Sequence, residues 1–485
     1  MKNKKSIKSP FTLTLLISII FMVLISYIFI LIISDDDGIR PEPEPAFETE
    51  PDNEPDSIHD NEPDAGIYND DLDDLQIYDT VSTGQASPPA DTITVTVIDS
   101  RTDGPGSLHI GEGYLELFSA LNEEAASHNC AAVSLVVYDG HAGLFYPYQY
   151  GYADISTQRE VDINTKFRSA SLSKLVVAVC AMILVDDGKL DLDEDISVYL
   201  GYDVKNPDFP NTPITTRMLL QHTSSIYDST SFNDSLMGRA RASTQNLLSG
   251  SSPYWDRRPG TAFQYSNFGY AIIGAICELI SDLKLDVLAK EILFDPMDID
   301  ASFLAAALND TSNIVVLYNP GHSIARSVRD QLDNNRTGAL GQDQHLAQGS
   351  LMISAFDYAK ILAMLGNGGV FLDKVILTPE SVSEMHRADV TGNEYMQGLS
   401  TRFSDDGSFM PDLNFYWHTG SAYGVYAQYM YVESTGTDEG IAGAGASRGV
   451  VVITTGANSE RAANGMINVC THLAQIAWPG LGFDS

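Results

Sequence analysis

Ser171-Leu172-Ser173-Lys174 opens an apolar run, Leu175 to Val185, that reads as a helix. A serine and a lysine three residues apart on a helix sit one turn apart on the same face, close enough to touch. An amine so placed can take the serine proton when burial or a neighbouring charge lowers its pKa, so Ser171 is a candidate nucleophile and Lys174 its candidate base. A nucleophile at a helix start also has backbone N–H groups and the helix dipole aimed at developing negative charge. The spacing alone is not specific, because Ser281-Asp282-Leu283-Lys284 shares it and reads as a surface turn. Two other stretches hold groups of the right kind. Tyr265-Ser266-Asn267 supplies a phenol and a carboxamide, and Trp417-His418-Thr419-Gly420-Ser421 lies on a strand. A phenol works as a base near neutral pH only beside a cation, which Lys174 would supply.

Periodicity outlines the elements that must position these groups. Tyr114–Ser127 is amphipathic at helical spacing. Ala131–Tyr138 is a β-rich run ended by Asp139-Gly140, with Leu144–Tyr150 as the returning strand. A mostly helical middle follows, at Leu172–Asp186, Thr215–Gln221, Gly269–Ile280 and Phe356–Leu365. Strands return at Phe415–Thr419, Val425–Val432 and Val450–Thr454, before a closing helix at Glu460–Ala477. Thr92–Val97 alternates and suits one extra strand. This order predicts an α/β (α+β) fold, an antiparallel sheet flanked by N- and C-terminal helices plus an all-helical lobe. The loops Tyr227–Tyr254 and Asn309–His345 carry no readable pattern.

Phe167-Arg168-Ser169-Ala170-Ser171-Leu172-Ser173-Lys174 closely resembles the nucleophile motif of the serine β-lactamase and penicillin-binding-protein superfamily, in the form of its class C branch. Ile214–Ser224 resembles that branch's signature helix, Tyr265-Ser266-Asn267 its Tyr-x-Asn motif and His418-Thr419-Gly420 its third motif. The order and separations fit over roughly residues 108–480. The resemblance implies a β-lactamase/transpeptidase-like fold in which Ser171 becomes an acyl-enzyme. Lys174 and Tyr265 would move its proton, Asn267 would bind the substrate amide, and the backbone N–H groups of Ser171 and Ser421 would form the oxyanion hole. His418, Thr419, Gly420 and Ser421 would line the substrate strand. One residue departs from the pattern: most penicillin-binding proteins and true class C β-lactamases have lysine where this chain has His418. An imidazole of ordinary pKa near 6.5 is mostly neutral at pH 7, so carboxylated β-lactams should bind weakly and turn over slowly, if at all. Relatives with His-Thr-Gly are similar to D-amino-acid peptidases, amidases and esterases.

The implied activity is a serine hydrolase cleaving amide or ester bonds, its substrate a peptide or small acyl compound such as a D-amino-acid cell-wall peptide of peptidoglycan. An esterase or weak class C-type β-lactamase, a slow-turnover penicillin-binding sensor and a non-catalytic surface protein remain open. No metal or organic cofactor is implied. His222 is expected to cap or pin a helix rather than do chemistry, Arg168 to make a structural ion pair, and Trp417 and Tyr429 to pack. Cys180 and Cys277 read as buried hydrophobes, and the fold allows a Cys130–Cys470 disulfide.

Composition sets the surroundings. The chain has 485 residues and a formal charge of −37, which excludes nucleic acid as a partner, because a phosphate backbone needs a basic footprint. The four cysteines include no Cys-x-x-Cys pair that would suggest zinc. Phe11–Ile33 is an apolar run of 23 residues after Lys2, Lys4, Lys5 and Lys8 and before Asp35-Asp36-Asp37. As a helix it would reach about 34 Å, enough to cross a bilayer core. The positive-inside rule then places the N-terminus in the cytoplasm and the rest of the chain outside the cell. The expected organisation is a cytoplasmic tip and transmembrane anchor at 1–34, an acidic, Pro-rich disordered linker at 35–105 and a hydrolase domain at 106–485. Residues 35–91 hold 19 acidic side chains against Arg40, too little apolar surface to offset the entropy of ordering.

Overall fold

We describe the protein from a computed structural model. It describes Ile98–Asp99 and residues 112–480, apart from 141–142, 240–241, 251, 334–337, 343–344, 393, 412 and 434–446. All of these belong to the second of two units, Asp60–Ser485. The apolar run Phe11–Ile33, the acidic linker through residue 97 and the strand expected at Thr92–Val97 lie outside the described residues. Among the described residues no helix is long and apolar enough to cross a membrane.

The described elements start with β1 (Ile98–Asp99), α1 (Glu112–Ser127), β2 (Ala132–Asp139) and β3 (Leu144–Asp154). The helical middle contains α2 (Ser173–Asp186), α3 (Thr216–Leu220), α4 (Asn267–Ser281) and α5 (Ala355–Gly366). Two short strands follow, β4 (Val390–Thr391) and β5 (Met396–Gln397), then β6 (Arg402–Ser404), β7 (Phe415–Ala422), β8 (Val425–Val432) and β9 (Arg448–Thr455). The last helix is α6 (Asn468–Gly480). The strands join one antiparallel sheet in the order β1-β3-β2-β9-β8-β7-β6-β5-β4, with Arg159–Glu160 paired beside β3.

Both faces of the sheet are covered, which is why β2 and β9 are apolar nearly throughout rather than alternating with polar residues. On β2, Ala132, Val136 and Tyr138 face the helical lobe, while Val133, Leu135 and Val137 face the terminal helices. Leu121 and Ala125 of α1 and Leu473 and Ala477 of α6 close that second layer. α2 is buried nearly all round, hence its continuous Leu, Val, Ala and Met. Truncating fully enclosed Leu175 to alanine would cost about 2–5 kcal/mol.

The β7–β8 hairpin turns on Tyr423 and Gly424, both at positive φ (52° and 75°), the two-residue turn that matches strand twist. A Cβ at Gly424 would sit 1.9 Å from the Tyr318 carbonyl oxygen, so only glycine fits.

The expected order of helices and long strands is present, and the short strands β4, β5 and β6 extend the sheet where none was expected. The closing helix starts at Asn468, not Glu460, because Arg461 bridges to Ile467 and Gly465 turns the chain at φ 86°. The stretch 227–254 contains two capped helices, Thr230–Leu236 and Thr244–Leu248, each too short for periodicity to reveal.

Candidate active site

Ser171 lies in a tight turn, Ala170–Leu172, that runs straight into α2. Ala170 has a positive φ of 48°, rare for a residue with a side chain, and the surroundings hold it there. Ser169 N donates to the Leu351 carbonyl (2.8 Å), Leu351 N to Ser173 Oγ (3.0 Å), and Tyr358 Oη to the Leu172 carbonyl (2.9 Å). These bonds tie residues 348–358 to the turn and bring the Gln348 carbonyl beside Lys174.

Lys174 is fully buried one turn after Ser171. Its Nζ donates to the Gln348 carbonyl (2.7 Å) and Asn267 Oδ1 (2.8 Å), and lies 3.1 Å from Ser171 Oγ. Tyr265 Oη lies 3.0 Å from the same Oγ. The Tyr265 ring sits 5.0 Å from the Lys174 ammonium nitrogen, so the cation faces the phenol. Hydroxyl, amine and phenol therefore meet at one point, although Tyr265 is 94 residues from Ser171.

Tyr265 directly precedes Ser266, which caps α4 by accepting from Gly269 N (2.9 Å). His222 fixes this entry to the helix. Its Nδ1 accepts from Ser266 N (3.1 Å), its carbonyl from Gln264 N (2.7 Å), and its ring lies 4.5 Å from that of Tyr265. His222 is thus the pin expected from sequence, but what it pins is the phenol.

Asp228 is a residue that the sequence reading missed. Its carboxylate accepts from Asn267 Nδ2 (2.8 Å), Phe268 N (2.8 Å) and Ser266 Oγ (3.3 Å). It therefore turns Asn267 so that Oδ1 faces Lys174, while a negative charge sits at the start of α4. Burial pushes the Asp228 carboxyl above its usual range, against the hydrogen bonds from Phe268 and Asn267 and the Lys174 charge. No motif marks it, because its partners lie about 40 residues away across an unpatterned loop.

Strand β7 closes the other side. Gly420 packs against the nucleophile turn so closely that a Cβ there would lie 2.7 Å from the Ser169 carbonyl oxygen and 3.1 Å from Ser171 N. Thr419 is buried, and Ser421 half-buried at the strand end. Buried His418 presents Nδ1 to the Thr419 carbonyl at 2.7 Å. A carbonyl only accepts, so Nδ1 carries the proton. Burial, together with the nearby Arg402, Lys174 and Arg461 charges, holds His418 well below the usual histidine range. The imidazole is therefore neutral near pH 7, more firmly than its ordinary pKa implies. A guanidinium from another element reaches this strand: Arg461 Nη1 donates to Thr419 Oγ1 at 3.1 Å. It too went unread in the sequence, because it falls where a helix was expected.

The other expectations divide. Trp417 and Tyr429 are buried, with Trp417 Nε1 donating to Ser404 Oγ. Arg168 does not make the expected ion pair among the described residues; it donates to Ser350 Oγ (3.2 Å) and lies over the Tyr423 ring. All four cysteines are buried free thiols, so the Cys130–Cys470 disulfide that the fold allows is not present.

The Beta-lactamase family profile matches residues 117–468. Protein flp of Staphylococcus aureus (strain MRSA252) is 27% identical over 154 residues, 32% of this chain and 30% of that protein. Penicillin-binding protein 4* of Bacillus subtilis (strain 168) is 29% identical over 159 residues, 32% of this chain and 34% of its own length. The matched stretch thus spans about a third of each of these curated relatives. Among solved structures, D-amino acid amidase from Ochrobactrum anthropi SV3, complexed with L-phenylalanine amide, shares the fold at a TM-score of 0.55 and 20% identity, over 76% of this chain and 98% of that one. On the extent of the profile match and the convergence of its motifs, the chain belongs to the Beta-lactamase family, within the serine β-lactamase and penicillin-binding-protein superfamily.

Proposed function

We propose that the protein is a serine hydrolase that cleaves amide or ester bonds of D-amino-acid-containing substrates, cell-wall peptides among them, through an acyl-enzyme on Ser171. The observation that carries this reading is the pair of groups at 3.0 and 3.1 Å from Ser171 Oγ. Oγ attacks the acyl carbonyl carbon while its proton passes to the Tyr265–Lys174 pair. The tetrahedral oxyanion forms beside Ser171 N and strand β7, where backbone N–H groups of Ser171 and Ser421 would stabilise it; each such donor is typically worth about 2.7–4 kcal/mol. Collapse breaks the carbonyl–leaving-group bond, and the leaving amine or alkoxide takes the held proton. Water then loses a proton to Tyr265, attacks the ester and regenerates the Ser171 hydroxyl.

Neutral His418 adds no cation to the substrate strand, which favours amides and esters over substrates recognised by a carboxylate. A second reading, a carboxypeptidase, rests on Arg461, whose guanidinium on Thr419 offers a carboxylate anchor from another element. We further propose that residues 1–34 anchor the protein in the cell membrane with a cytoplasmic N-terminus, and that an extended linker through 105 presents the head outside. The length of the Phe11–Ile33 run and its flanking charges support this.

The test is a panel of D-amino-acid amides, D-Ala-D-Ala peptides, short p-nitrophenyl esters and a chromogenic cephalosporin. Turnover of amides or esters with slow cephalosporin hydrolysis is expected. Cephalosporin turnover at the rate of an efficient β-lactamase would overturn the substrate assignment. Persistent labelling by a fluorescent penicillin or a fluorophosphonate without product release would make the protein a sensor, and no labelling by either with no turnover a scaffold.

A further inference from the structure

On the far side of the sheet from the nucleophile, the two terminal helices bring together three metal-ligating side chains that the hydrolase reading does not use. Glu124 lies in the last turn of α1 and His128 just beyond its end, and His472 lies in the second turn of α6. Glu124 Oε1 is 3.1 Å from His128 Nε2 and 3.0 Å from His472 Nδ1. The three ligand atoms all lie within 4.8 Å of one another. Four ligands at about 2.0–2.1 Å around tetrahedral zinc stand about 3.3–3.4 Å apart, so a shared ion needs only small rotamer adjustments here.

The hydrogen bonding of His128 points to a cation. Its Nδ1 faces the Asn458 carbonyl at 2.8 Å, and Asn458 N donates back to the His128 carbonyl at 2.7 Å. The carbonyl can only accept, so Nδ1 carries the proton and neutral His128 has a bare lone pair at Nε2. That lone pair faces a carboxylate oxygen, and so does a nitrogen of His472. His472 can donate an Nδ1–H to this oxygen as a neutral imidazole, but His128, its one proton committed to Asn458, meets Glu124 as lone pair against lone pair unless a cation lies between them. A metal-ligating histidine is characteristically held this way, its other ring nitrogen donating to a backbone carbonyl. The side chains are partly exposed, at 23%, 19% and 50% for Glu124, His128 and His472, which leaves an entry path and room for a water as fourth ligand.

We propose that Glu124, His128 and His472 form a binding site for a divalent transition-metal ion of the zinc class. Two imidazoles and one carboxylate suit zinc better than magnesium or calcium, which prefer oxygen ligands alone. Glu124 and His472 are 348 residues apart, so a bound ion would staple the first helix of the head to the last.

The test uses the untagged full chain, stripped with a chelator and titrated with Zn2+, then with Co2+ as a coloured probe. With zinc at 100 times its Kd, the folded-to-unfolded ratio should rise about 100-fold, read as an upward shift of the melting temperature. Co2+ should show the visible absorption of inner-sphere coordination, and Mg2+ should do nothing. His472→Ala and Glu124→Gln, at partly exposed positions where the fold is retained, should each weaken Zn2+ binding at least tenfold and abolish the Co2+ spectrum. No zinc-dependent shift in the parent chain, or an equal shift in both variants, would overturn the proposal and leave a protonated His–Glu–His ion-pair cluster.

Discussion

Replacing Gly420 by alanine tests whether the closeness of β7 to the nucleophile turn matters for the chemistry. The added Cβ would stand 2.7 Å from the Ser169 carbonyl oxygen, where ordinary contact begins near 3.4 Å, so strand and turn must part by about 0.7 Å. The carbonyl belongs to backbone fixed by the Leu351 amide-to-hydroxyl and Ser169 amide-to-carbonyl bonds, and it cannot swing away as a flexible side chain would. A displacement of about 1 Å at reacting atoms can cost about 100-fold in rate, so 0.7 Å predicts kcat/KM lower by about 10- to 100-fold. That is about 1.4–2.7 kcal/mol of barrier. Steady-state kinetics on a p-nitrophenyl ester, alongside thermal denaturation, reads both quantities. Gly201→Ala is the control: Gly201 stands at φ 76°, and nothing lies within 4 Å of the new Cβ. It should cost about 1–2 kcal/mol of left-handed backbone strain and leave kcat/KM unchanged. Wild-type kcat/KM in Gly420→Ala would refute the argument that this contact positions the attacking oxygen.

Other outcomes follow from the same geometry. Asp228→Ala leaves the Asn267 amide and the Phe268 N–H without their carboxylate, so it should lower kcat more than it changes KM and cost about 1–3 kcal/mol in denaturant melts. His418, whose proton affinity is lowered by folding, binds fewer protons folded than unfolded; stability should therefore rise with pH up to about the ordinary histidine value near 6.5 and then level off. Melting temperatures from pH 4.5 to 8 should show this slope flattened in His418→Asn. His418→Lys would bring an ammonium beside Arg402, Lys174 and Arg461, so it should destabilise the fold without producing efficient cephalosporin hydrolysis, read in a melt and a chromogenic assay. Deleting residues 1–34 should release the protein from the membrane pellet to the soluble fraction in cell fractionation.

Legibility in the sequence followed the range of the interactions. Ser171 and Lys174 were readable because their contact is local, one helical turn, and Tyr265 because its own motif opens a helix with a cap. The five long strands of the sheet were readable to within a few residues, as alternating or continuous apolar runs bounded by turns, while the two- and three-residue strands β4, β5 and β6 were too short to show a pattern. Asp228, Gln348 and Arg461 were not readable: each reaches the site through a loop, and a carboxylate, a backbone carbonyl or a guanidinium in a loop has no periodicity to mark it. Arg461 also shows why the last helix starts late, because its bridge to Ile467 and bond to the Gly465 carbonyl spend the preceding residues on a turn. His222 was read correctly as a pin, but its target, the Tyr265 ring, emerges only when two distant segments pack.

The central claim is that Ser171 is the covalent nucleophile. Intact-protein and peptide mass spectrometry after treatment with a fluorophosphonate or slow ester substrate tests it most directly. The account predicts one adduct, on the peptide containing Ser171, with both adduct and turnover lost in Ser171→Ala. Undiminished hydrolysis by Ser171→Ala, or an adduct on another residue, would contradict it.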